Sequence, residues 1–192
     1  MRSSHRCWRH QSGFTLVELL VALSLLTIIA AGIAQLFAVT VQDARAARDQ
    51  TMTMMLAKEK MEQLRALTWR VDSGGAAVSD LTTDLSRSPP DAGGSGLGAS
   101  PAGALDTNTA GFVDFLDGKG GWVGAGTGPP PAATYIRRWS IEPLPSDPGN
   151  SLLLRVLVTT RIRDSGGAAA GGPRFRRADE ALLVTIRTRK AE

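Results

Sequence analysis

Between Leu19 and Gln42 the chain carries no charged residue, and most positions there are apolar. At about 1.5 Å per residue this run predicts a helix of roughly 36 Å, enough to cross a hydrocarbon core of about 30 Å. The pattern then changes without a break. From Ala44 to Trp69, Ala47, Met54, Ala57, Met61, Leu64 and Leu67 recur at steps of three, four and seven. Lys58, Glu59, Lys60, Glu62, Gln63 and Arg65 fill the other positions. That spacing predicts an amphipathic helix with one apolar stripe. No proline interrupts Phe14 to Trp69, so a single helix of about 80 Å is expected, half of it in lipid and half packed on a head.

Residues 70–134 are dominated by Gly, Ala, Pro, Ser and Asp, as in RSPPDAGGSGLGASPAGALD. They read as irregular chain, with Gly111 to Trp122 apolar enough to dock on the head. Three strand candidates follow. Tyr135 to Leu144 places Tyr135, Trp139 and Ile141 on one face. Leu152 to Arg163 places Leu152, Leu154, Val156, Val158 and Ile162 on one face. Ala181 to Lys190 alternates Leu182, Val184 and Ile186 with Leu183, Thr185 and Arg187. Period two with β-branched residues predicts half-buried strands. No helix-length segment separates them, so an antiparallel meander is expected. The fold class is therefore α+β: a long N-terminal helix packed on a small antiparallel sheet. The stripe Met54, Ala57, Met61 and Leu64 is expected to cover the face bearing Leu154, Val156, Val158, Val184 and Ile186, with Lys60 toward solvent. The organisation reads as a basic leader at 1–13, a membrane helix at 14–42 and its amphipathic half at 43–69. A variable region at 70–134 and a sheet at 135–192 follow.

Composition narrows the function. With 192 residues, 43% hydrophobic but much of that in one early run, the chain suits one modest domain plus an attached segment. The one cysteine, Cys7, and both histidines, His5 and His10, precede the apolar run. A chain that lost its first residues would have neither type, which excludes thiolate or imidazole zinc sites, Cys nucleophiles and Ser–His triads. No catalytic residue, metal or cofactor is expected. Arg2, Arg6 and Arg9 give the leader a positive charge with no acid, which places the N-terminus in the cytoplasm and the head outside. An ordinary secretory signal would have an apolar region of about 7–15 residues ended by a small-residue cut site. Here Ala30, Ala31 and Gly32 interrupt the run without ending it. A lipoprotein is disfavoured because Cys7 lies on the wrong side. The rest of the chain is only mildly basic, and no nucleic-acid partner is expected.

Between leader and helix stands Gly13-Phe14-Thr15-Leu16-Val17-Glu18, followed by LLVALSLLTIIAAGIAQLFA. This resembles the class III signal of type IV pilins and type II secretion pseudopilins. The resemblance implies that a prepilin peptidase cuts after Gly13 and N-methylates Phe14. It also implies that the apolar segment is kept as an assembly helix. Glu18 would then pair with the amine of a neighbouring subunit's Phe14. LAKEKMEQLRAL, TYIRRWSIEPL and LLLRVLVTTRIR are similar to the minor-pilin group that includes PilV and the I-type minor pseudopilins. Major pilins usually have a proline within the apolar segment and many close a C-terminal loop with a disulfide. This chain has neither, which implies a minor, priming or tip subunit. The expected partners are prepilin peptidase, other pilin or pseudopilin subunits, inner-membrane lipid and the inner-membrane assembly platform. The location implied is the bacterial inner membrane, then a pilus or pseudopilus. A minor pseudopilin of type II secretion or DNA uptake is the alternative, and an unrelated single-pass protein with a ligand-binding head is more remote.

The remaining motifs are read as structural. Asp114, Asp117 and Gly118 have the residue types of a calcium loop but not the EF-hand spacing, and a polar turn is expected. Arg155, Arg161, Arg163, Arg187 and Arg189 are expected on a solvated sheet face. GAGTGP and GGSGLG lack the strand–helix setting of phosphate loops. Met52, Met54, Met55 and Met61 read as core filler.

Overall fold

The computed structural model describes residues 13–161 and 180–191. Leader residues 1–12, with Cys7, His5 and His10, lie outside the described residues, as do Ile162, Arg163 and the segment from 164 to 179. The chain divides into two compact units, Met1–Ala44 and Arg45–Glu192. One helix, α1 (Leu16–Ala66), contributes to both. In the first unit every described residue is exposed.

The second unit, the head, is built on a five-stranded antiparallel sheet. Its strands are β5 (Val113–Leu116), β6 (Trp122–Ala125), β7 (Tyr135–Pro143), β8 (Ser151–Thr160) and β9 (Ala181–Thr188), in the order β6-β5-β7-β8-β9. Four short strands precede them: β1 (Trp69–Val71), β2 (Ala77–Ser79), β3 (Thr83–Asp84) and β4 (Asp91–Ala92). A last strand, β10 (Lys190–Ala191), pairs in parallel with β1. The sheet thus takes in residues 113–125, which composition assigns to irregular chain. Each of these strands is only four residues long and is flanked by glycines, too short to dominate a window of sequence. The turn between them closes on Asp117, whose carboxylate accepts N–H bonds from Lys119 and Gly121, both at 2.8 Å. Gly120 sits there at φ +86°, and a Cβ on it would lie 3.0 Å from Leu56 Cδ2.

The helical stripe that packs on this sheet comprises Thr53, Leu56, Ala57, Lys60, Met61 and Leu64, with Met52 and Leu67 half-buried. Met54 and Ala47 are exposed. The buried arc is therefore rotated by roughly 50° from the one the apolar residues alone mark out. Against it lie Trp139, Ile141, Leu152, Leu154, Val156 and Val158. Val184 and Ile186 do not join them: they are more than half exposed on the opposite face. The register of β9 explains the correction. Leu152, Leu154, Val156 and Val158 pair with Arg187, Thr185, Leu183 and Ala181, so that odd-numbered set faces the helix. Arg187 uses the position to donate to Leu64 O at 2.8 Å and to Leu67 O, satisfying carbonyls at the end of α1 that have no helical partner. Behind the sheet, Val113, Phe115, Ala133 and Ile136 form a second, smaller core.

Lys60 turns inward rather than to solvent because the core contains its counter-ion. Its Nζ lies 2.7 Å from Asp114 Oδ2, and both side chains are 1% exposed. The ammonium also donates to Leu85 O at 2.7 Å and sits 4.5 Å from the centre of the Trp139 ring. Arg137 grips the same carboxylate from the other side, Nε to Oδ1 and Nη2 to Oδ2, each at 2.9 Å. Its remaining nitrogen donates to Leu56 O at 3.0 Å and to Glu59 Oε2 at 3.3 Å. Two cations thus share one buried anion, with Glu59 completing the charge balance at the edge.

The asymmetry of this cluster sets what its removal does. Asp114→Ala leaves Lys60 and Arg137 buried without an anion, and should destabilise the head by about 3–5 kcal/mol. Lys60→Met leaves Asp114 held by Arg137 and mainly orphans the Leu85 carbonyl, at about 1–2 kcal/mol. Lys60→Asp places a second carboxylate against the first and should prevent folding. Urea unfolding of the fragment 45–192 checks the order, and equal losses for Asp114→Ala and Lys60→Met would contradict it.

Burial outweighs the attraction of Asp114 and lowers the Lys60 ammonium from 10.5 to about 8. Between about pH 8 and 10 the unfolded chain therefore holds a proton that the folded head has released, and stability should rise with pH. Tyr135, raised above 10 first by burial and then by Asp49, acts in the opposite sense only above that window. The urea midpoint of the parent should rise relative to that of Lys60→Met between pH 8 and 10. Parallel curves would place the Lys60 titration elsewhere.

Candidate functional site

Helix α1 begins one residue after Thr15, and the local sequence explains why. The Thr15 hydroxyl accepts the Glu18 N–H at 3.3 Å, and Leu19 N donates to Thr15 O at 3.2 Å. Thr15 is thus the N-cap and Glu18 the third helical residue, the Thr-x-x-Glu spacing of a capping box. A carboxylate in the first turn also faces the positive end of the helix dipole. Phe14 stands immediately before the cap, 78% exposed. Gly13 precedes it, and a Cβ there would meet nothing within 4 Å. Among the described residues, no packing contact requires glycine at 13.

From Leu16 to Gln42 no side chain is covered by any other part of the described chain, with Leu36 72% and Ile28 68% exposed. A run this long and apolar is consistent with a single-pass membrane anchor. Its hydroxyls are internally satisfied: Ser24 Oγ donates to Leu20 O at 2.6 Å, Thr27 to Ser24 O and Thr40 to Leu36 O, both at 2.8 Å. In hydrocarbon such bonds remove the penalty of an unpaired polar group. Gly32 has open space around it among the described residues.

The other candidate residues are dispersed. Asp114 is consumed by the buried cluster. Asp117 is held by the amides of its own turn, first Gly121 and then Lys119, which lower its pKa. The arginines read as a solvated face are mostly engaged internally. Arg161 donates to the carbonyls of Pro130 and Pro131, and Arg155 pairs with Glu142. Arg189 stacks 3.5 Å over the Trp69 ring and donates to Gly149, Arg70 and Val78 carbonyls. Arg187 is on the helix face, not the opposite one. Met54 and Met55 are exposed rather than core filler. Sequence reasoning missed the linkage of Lys60, Asp114 and Arg137. The available signal was an acid between Val113 and Phe115, in a segment otherwise apolar.

Residues 8–34 match the family model described as the prokaryotic N-terminal methylation motif. No curated protein and no solved structure matches the chain significantly. The match spans the last part of the leader from Trp8, the Gly13–Glu18 junction and two-thirds of the charge-free run. That signal, and a long helix followed by a small antiparallel sheet, are features of the kind found in type IV pilin- and pseudopilin-like proteins and support a relation to them.

Proposed function

We propose that the chain is a minor structural subunit of a type IV pilus, cut by prepilin peptidase between Gly13 and Phe14 and N-methylated on Phe14. The observation that carries this reading is the helix start. A capped helix opens directly after Phe14 and continues as a charge-free run that buries nothing within its own chain. Cutting before Phe14 leaves Thr15 and Glu18 in place, so the cap survives processing. No packing contact among the described residues calls for glycine at 13, which supports a need imposed by a peptidase. The subunit waits in the inner membrane with its head on the outer side, then joins other subunits by stacking its apolar helix on theirs. The new amine of a neighbour's Phe14, with an ordinary pKa of about 8 and so largely cationic at neutral pH, is the partner for Glu18. Pairing in lipid offsets the roughly 2.5–3.5 kcal/mol that a carboxylate costs within the span, and it sets the axial register between subunits.

Intact-mass analysis of the membrane-extracted protein should show a chain starting at Phe14 and one methyl group heavier than unmodified. Gly13→Val should leave the precursor uncut while the head's urea midpoint stays unchanged. A mature N-terminus beyond Ala30 would mean ordinary signal-peptide removal and end this reading.

Glu18→Ala and Glu18→Gln separate two roles of the same side chain. Glutamine at the third helical position retains capping capacity but carries no charge. Both variants should be inserted and cut, and both should be depleted from sheared filaments at least several-fold. Normal incorporation of Glu18→Gln would show that the charge is not used in assembly.

A further inference from the structure

We propose that a groove at the start of the head binds the anionic headgroup of a phospholipid in the membrane that the chain crosses. The groove, of about 450 Å³, lies between α1 and the β5–β6 turn. Ala47, Thr51, Met52 and Met55 line its helix side, and Arg48 and Lys119 contribute its charge. No carboxylate lines it. Asp49 points its carboxylate to the Tyr135 hydroxyl at 3.4 Å, and Asp117 is occupied by the amides of its own turn. Among the described residues, neither Arg48 nor Lys119 is in an ion pair. They differ in this from Arg137, Arg155, Arg187 and Arg189, each committed to a carboxylate or to backbone carbonyls.

The occupant follows from two observations. Two cations outside any ion pair, beside an apolar wall of methionines, fit an amphiphile with a negative head, the chemistry of an acidic phospholipid. In sequence the groove begins with Ala47, five positions after Gln42, the last residue of the charge-free run. The inference rests on the reading of that run as a membrane span, which tethers the groove to a lipid surface at high effective concentration. A weak site is then sufficiently occupied. Such a contact would hold the head down while the subunit awaits assembly, and release it on extraction.

The head fragment 45–192 suits the test, since it is one compact unit whose buried core lies entirely at or beyond Thr53. With lipid in large excess to replace the lost tether, sedimentation with vesicles containing phosphatidylglycerol should show binding, and vesicles of phosphatidylcholine alone should show little; no binding to either would overturn the proposal. Arg48→Gln and Lys119→Gln should each weaken binding about five-fold, the equivalent of roughly 1 kcal/mol per cation near an acidic surface. Both positions line an open groove, and surface changes of this kind leave folding nearly untouched; a melting curve confirms it. Arg65→Gln, which removes a cation already paired with Glu62, should bind as the parent does. Equal binding to both vesicle types would overturn the proposal. So would an equal loss from Arg65→Gln, which would mean diffuse charge rather than a site. Leader processing is measured separately by mass, so failure of the groove and failure of the assembly reading are distinguishable.

Discussion

The Asp114 carboxylate is the constraint on which the head depends. It is almost completely buried, and a charge in that position is tolerable only while its partners stay within hydrogen-bond reach. Those partners come from different places in the chain. Lys60 belongs to α1, Arg137 to β7, and the Leu85 carbonyl that shares Lys60 to the loop after β3. Satisfying one anion therefore fixes the rotation of the helix over the sheet, the pairing of β5 with β7 and the path of an otherwise irregular segment. Apolar packing supplies most of the driving force, but packing alone is indifferent to modest rotation of a helix on a sheet. The charged cluster is not.

That division of labour explains what could be read from the residues. The charge-free run, the Gly13–Glu18 junction and the helix out to Ala66 are legible because each depends on local pattern. The strands at 135–160 and 181–188 are legible because alternation over eight or more residues is strong. The face of β9 is not, because both of its sets contain apolar residues: Leu182, Val184 and Ile186 against Leu183 with Ala181. The choice falls to Arg187, whose guanidinium reaches the end of α1, a tertiary contact that no periodicity encodes. Lys60 fails for the same reason. A lysine on an apolar arc reads as the edge of the arc unless its anion, fifty-four positions away in sequence, is known. β5 and β6 fail because brevity and flanking glycines mask them, though Val113 and Phe115 carry the alternation.

The two compact units follow opposite logics. The head hides its apolar residues and spends most of its arginines on internal carbonyls and carboxylates. The membrane-type unit hides nothing, and its side chains need lipid or other helices as their solvent. A sequence under one logic would not tolerate the other's pattern. Charged residues reappear only at Asp43 and Arg45, where the chain passes into the head. Arg48 and Lys119 differ in that they share one groove and neither is committed to an ion pair among the described residues.

Glu18 shows why a single carboxylate can serve both folding and assembly. At the third position of the helix it meets free N–H groups and the positive end of the dipole, so it is locally favourable before any partner arrives. Those backbone groups attract charge without neutralising it, and the side chain remains exposed in the isolated chain. Moving such a group deeper among apolar helices becomes acceptable only when a cation moves with it. An α-amine created by cleavage is one, and it exists only on processed subunits. On the proposed reading, the chemistry of the junction would therefore link eligibility for assembly to removal of the leader.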